Sequence, residues 1–169
     1  LKVHDGLQNG RFENPETTER LVLDFGDWFL SALQNYVTEN GGHVAPAWRR
    51  FFEMRSGPGQ PDEGRPNGLF FTAGMIAHIL NDLPQSVNRV GAGTGYRKDF
   101  FAVDEVIGDI AYLLTPAFVP GPEILRDGFT AVANRYIGLL RKTAWSDYRL
   151  LQLAENRGGS VAKSAVVKM

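Results

Sequence analysis

Apolar residues recur along most of this chain at intervals of three and four, the spacing of helices that bury one face. Leu21, Val22, Phe25, Phe29, Ala32, Leu33 and Tyr36 form the first run, widened by Trp28. Asn14 precedes it as an N-cap, Pro15 takes the first helical position and Glu16 lies in the first turn. Gly41 and Gly42 end it. Pro46 opens a short second helix, AWRRFFEMR. The third run, Gly68 to Pro84 (GLFFTAGMIAHILNDLP), is apolar on nearly every side. It predicts a helix buried on all faces, and it falls short of the roughly 18 apolar residues a membrane span needs. Pro84 either kinks this helix or starts another. A further helix follows from Tyr96, with Phe100, Val103, Ile107, Ile110 and Leu114 as its stripe. The last opens at Pro122 and Glu123 and turns Leu125, Phe129, Val132, Tyr136, Leu139 and Leu140 inward. Leu150, Leu151 and Leu153 extend that pattern to Ala154, with continuation or a bend near Trp145.

Between these runs lie breaks. SGPGQPDEGRPN, from Ser56 to Asn67, reads as a surface loop that enters directly before the central helix. GAGTG, Gly91 to Gly95, follows no strand and lacks the Lys-Ser/Thr ending of a phosphate loop. No repeat and no β-strand alternation appears. The pattern therefore predicts an all-α, single-domain bundle of about five or six helices around a buried central helix. The helical domain spans 14–157, the N-terminal arm 1–13 and a flexible C-terminal tail 158–169.

Composition narrows the class. The chain has 169 residues, 43% of them hydrophobic, and a net charge of −1. That length fits one domain with a real core. Near-neutral charge argues against a nucleic-acid partner and against attraction to an anionic membrane. The absence of cysteine excludes disulfides, thiolate metal sites and cysteine nucleophiles. With no signal peptide or membrane span visible, the expected location is cytoplasmic.

The candidate chemistry lies in the central helix. His78 and Asp82 are four residues apart and share a face with Phe71 and Met75. Buried, they need partners, since an unsatisfied polar group costs on the order of 1–3 kcal/mol. One reading is a structural pair, with Asp82 accepting backbone N–H groups near a helix start. The other is functional: histidine titrates near neutral pH and moves protons. Asp99 reads as a first-turn carboxylate or as a partner for His78. Arg97 is solvated or binds an acidic substrate group. Tyr112 reads first as a core aromatic and second as a substrate contact. No serine has a nucleophile-elbow context.

Three separated segments resemble an uncharacterised all-α family, a domain of unknown function found mainly in bacteria. Met75 to Val87, MIAHILNDLPQSV, is similar to its Ala-His-Ile-x-x-Asp-Leu-Pro signature. Tyr96 to Ile107, YRKDFFAVDEVI, is similar to an Arg-x-Asp-Phe segment followed by Val-Asn, and Arg141 to Gln152, RKTAWSDYRLLQ, to an Arg-x-x-Ala-Trp segment. The family pattern has Asn where this chain has Asp104, so no role carries over there. The resemblance implies the fold and the importance of His78, Asp82 and Asp99, but no chemistry. The His-x-x-x-Asp spacing also resembles a helix of zinc-dependent phospholipases C and single-strand nucleases. In this chain Pro84-Gln85 reverses their Gln-Pro, and three histidines do not furnish a trinuclear site.

The sequence thus points to a small helical enzyme with an apolar pocket. His78, oriented by Asp82 or Asp99, serves as proton donor or acceptor on a small, mainly apolar substrate. Arg97, Phe71, Met75 and Tyr112 contact that substrate. Cyclisation, isomerisation, dehydration or hydrolysis without a cofactor fits such a site. One alternative is a metal-dependent hydrolase in which His78 and Asp82 bind a divalent metal such as zinc. Another is a non-catalytic binding or scaffold domain. A homo-oligomer stays open.

Overall fold

A computed structural model describes residues 2–38, 44–56, 67–103 and 122–156. Their regular structure is entirely helical, in one bundle. Helix α1 is Lys2–Gln8, α2 Pro15–Val37, α3 Pro46–Ser56, α4 Asn67–Ala77 and α5 Leu83–Arg89. A short 3-10 turn, Thr94–Tyr96, leads into α6, described over 97–103. Helix α7 is Glu123–Asn156.

The segment from α4 to α5 is one continuous rod that is buried on one face, not on all faces as the sequence pattern predicts: residues 72–76 are half-buried, and full burial begins at Ala77. Its two halves are joined by a wider π turn, His78–Asp82, in which the Leu83 N–H reaches five residues back to the His78 carbonyl. Pro84 supplies the reason. A proline inside an α-helix has no N–H to donate, and its ring collides with the carbonyl four residues earlier. Widening the coil just ahead of Pro84 lets the chain pass without ending. The helix neither stops nor restarts, and Pro84 lies in the first turn of α5.

Around this rod pack α2, α3 and α7. Leu21 of α2, Ile79, Leu83 and Val87 of the rod, Phe100 of α6, and Ile137, Leu140 and Tyr148 of α7 form the main core. A second cluster joins α3 to α2 and α4 through Trp48, Phe52, Ala32 and Ala77. Gly74 permits the close seating of α3, for a Cβ there would lie 3.2 Å from the Phe51 ring.

Several sequence expectations need correcting. The arm 1–13 contains helix α1, and its Phe12 is buried. Near Trp145, where the sequence allows continuation or a bend, helix α7 runs on unbroken. Its inward face is Ala133, Ile137, Leu140, Ala144, Tyr148 and Leu151, so Val132, Leu139, Leu150 and Leu153 are exposed. The phase is set by Arg141, Ala144, Trp145 and Tyr148, which bury together, and not by the largest aliphatic residues. Val22 and Leu33 of α2 are exposed as well, since α2 turns Thr18, Leu21 and Ala32 inward. The loop ahead of the central helix, the stripe beyond Val103 and the tail 158–169 lie outside the described residues.

The GAGTG break is a helix stop. Gly91 has φ +69°. Its N–H bonds the Asn88 carbonyl at 3.1 Å, and the Ala92 N–H bonds the Val87 carbonyl at 3.3 Å. This paired pattern is the Schellman ending of α5.

Candidate functional site

The π turn brings His78 and Asp82 together. His78 Nδ1 lies 2.7 Å from Asp82 Oδ2. The same oxygen accepts the Trp48 indole N–H at 2.8 Å, and Oδ1 accepts the Asn81 amide at 2.6 Å. Asn81 is held in turn, its carbonyl accepting the Gln85 amide at 2.7 Å. Indole and amide N–H groups can only donate, so the Asp82 carboxyl is the acceptor for both. The third contact is with His78, and in the tautomer that carries its proton on Nδ1 the ring donates to Oδ2 and the Nε2 lone pair points away from Asp82. Asp82 makes no side-chain cap at the start of α5; its oxygens are all turned to these three donors.

Exposure separates the two residues. The Asp82 side chain is fully buried, whereas that of His78 is 25% exposed. Nε2 has no hydrogen-bond partner among the described residues. The imidazole is clamped by aromatic rings. Phe25 stacks on it at 3.5 Å with a 10° interplanar angle, Phe29 meets it edge-on at 6.2 Å and Trp48 lies at 5.7 Å. The ring is therefore held at one nitrogen and on the face that Phe25 covers.

Asp99 is engaged elsewhere. It is buried, but its Oδ1 accepts the Glu13 backbone N–H at 2.8 Å, and its Oδ2 accepts the Asn14 backbone N–H at 2.6 Å and the Asn14 amide at 3.0 Å. Asn14 precedes α2 as expected, yet makes no side-chain cap and donates to Asp99 instead. Lys98, next in chain, pairs with Glu13. Asp99 thus ties α6 to the start of α2, with no bond to His78 among the described contacts. Arg97 is exposed, with its guanidinium 5.5 Å from the centre of the Phe101 ring. Met75 packs against the main core. The Phe71 side chain and Tyr112 lie outside the described residues.

Among the described residues no group of three or more His, Asp or Glu side chains gathers in a metal-binding arrangement. No described helix is long and apolar enough to cross a membrane. Sequence reasoning paired His78 with Asp82 but missed Trp48, Asn81 and Phe25. Trp48 carried a usable signal: a tryptophan on a short amphipathic helix needs an acceptor for its N–H once buried. Nothing in the spacing said that the acceptor lies 34 residues away.

A family model covers residues 1–167. The chain belongs to DUF5995, a family of unknown function. No curated protein and no solved structure matches it. Membership therefore brings no reaction or substrate with it, and the geometry around His78 is the basis for any functional reading.

Proposed function

We propose that this chain is a small helical enzyme in which His78 exchanges a proton with substrate through Nε2, while Asp82 holds the ring through Nδ1. The carrying observation is the 2.7 Å Nδ1 to Oδ2 contact on a ring whose opposite nitrogen has no partner among the described residues and whose side chain reaches solvent. A buried carboxylate on one nitrogen fixes the tautomer and stabilises the imidazolium formed when the other nitrogen takes a proton. The aromatic surroundings, Phe25 and Phe29 above all, favour a small and mainly apolar substrate. Proton transfer of this kind serves cyclisation, isomerisation, dehydration or hydrolysis.

The test begins with a thermal-shift screen of small apolar compounds, followed by turnover assays on those that bind. His78→Gln is expected to lower turnover about 10²- to 10⁴-fold, the usual contribution of a positioned acid or base. Circular dichroism and unfolding midpoint should stay close to wild type. Turnover that is unchanged in the folded variant removes His78 from the mechanism.

A further inference from the structure

Trp48 comes from a different helix than the pair it touches, and only 3% of it is exposed. Its ring has no freedom to leave. Phe52 stacks on it at 5.6 Å, Phe51 meets it edge-on at 5.6 Å and Phe29 lies at 5.1 Å. The indole N–H is thus presented to Asp82 as a rigid donor. A carboxylate rotates about one bond, and the direction of its lone pairs decides whether it can accept from His78. Asn81 holds Oδ1, but Asn81 is the adjoining residue on the same turn and moves with it. Trp48 is the contact that references Asp82 to the rest of the bundle, and it uses the very oxygen that faces Nδ1.

We infer that Trp48 is the positioning residue of the site: by occupying one side of Oδ2 it orients the Asp82 carboxylate so that His78 is held as the Nδ1–H tautomer, with Nε2 free to accept a proton. This rests on the reading of His78 as a proton-transfer group, and it adds α3 as the element that sets the state of that group. In water a neutral imidazole exchanges between two tautomers. Here one of them is selected by a carboxylate that the indole holds still.

Trp48→Phe tests this, because it keeps the aromatic bulk and removes the donor. The readout is the ¹⁵N spectrum of the His78 ring above its titration, which reports the tautomer directly and which a purely structural role for Trp48 does not move. The wild type should show His78 as the Nδ1–H form. In Trp48→Phe the ratio of Nδ1–H to Nε2–H should fall about tenfold or more, the scale of one charge-assisted hydrogen bond. A folded variant with an unchanged ratio overturns the inference while leaving the His78–Asp82 pair standing. A wild-type ring found mainly as Nε2–H removes the pair itself, and the inference with it. A second measurement needs no variant. In wild type the Trp48 indole proton shares Oδ2 with His78, so its chemical shift should follow the His78 titration with the same midpoint. An indole resonance that ignores that titration overturns the inference even where Trp48→Phe does not fold.

Discussion

Asp82 and Asp99 are both buried carboxylates, and each accepts three hydrogen bonds. They differ in who donates. Side chains serve Asp82, and one of them is a titratable ring. Two of the three donors to Asp99 are backbone N–H groups, and a backbone N–H does not titrate in this range or turn over. Asp99 thus acts as a clamp from α6 on the backbone that leads into α2, at a helix start whose own N-cap side chain makes no capping bond. Asp99→Ala should therefore lower unfolding free energy by about 1–2 kcal/mol, since it removes three hydrogen bonds to a buried carboxylate while the freed donors of Glu13 and Asn14 lie on exposed residues that water can reach. Urea denaturation measures this. The His78 tautomer should not change, which separates this carboxylate from Asp82. A variant of wild-type stability would remove the clamping role. The sequence marks His78, Asp82 and Asp99 as polar residues in need of partners, and each of them has partners in the fold. It does not say which donors each meets. Asp82 meets its histidine because both sit on one turn, while Asp99 depends on how α6 approaches α2.

At the scale of elements, local patterning locates the helices and tertiary packing decides their faces. The stretches ahead of α2 and after α5 show both sides. Pro15 and Pro46 mark helix starts where expected. Pro84, by contrast, is passed by a π turn, which no spacing rule announces and which coincides with the candidate site. Such turns occur often at functional sites. The aliphatic period also misleads along α7, because alanines and Arg141 carry much of the inward face there. The stop after α5 is legible as a glycine-rich break but not as a cap. Its geometry makes a prediction: Gly91 is left-handed, and the space that a Cβ would take there is open, with nothing within 4 Å. Gly91→Ala meets no clash, so its whole cost is conformational, about 1–2 kcal/mol. Thermal or urea unfolding reads it, and Gly91→Asn should recover part of the loss because asparagine tolerates this region better. Equal stability of glycine and alanine variants would mean that α5 ends differently in solution.

Across the whole molecule, a second buried polar network ties three helices together and serves stability rather than the His78 site. Tyr96, at the threshold of α6, donates its hydroxyl to Thr18 of α2 at 3.0 Å. Arg141 of α7 donates to the Phe100 carbonyl of α6 and lies over the Phe100 ring at 4.3 Å. Burial, with the negative Asp99 adding to it, pushes the Tyr96 hydroxyl up to about 12, against the opposing pull of Thr18 and Arg141. The sign of the consequence follows from proton linkage. Below pH 10 the tyrosine is neutral in folded and unfolded chains alike, and its contribution to stability is complete. Between about pH 10 and 12 the unfolded chain releases this proton while the folded one keeps it. The unfolded state then binds fewer protons, so stability falls as pH rises. A displacement from 10 to about 12 corresponds to a loss of roughly 2–3 kcal/mol across that window. Tyr96→Phe should start lower at neutral pH, for it leaves Thr18 without its donor, but should fall less steeply above pH 10. Urea unfolding of both proteins at pH 8, 10 and 11.5 measures the two slopes. Parallel slopes would show that Tyr96 ionises in the folded chain as readily as in the unfolded one. A steeper wild-type slope would show that the junction of α2, α6 and α7 keeps the Tyr96 proton on in the folded chain and that its release is coupled to unfolding.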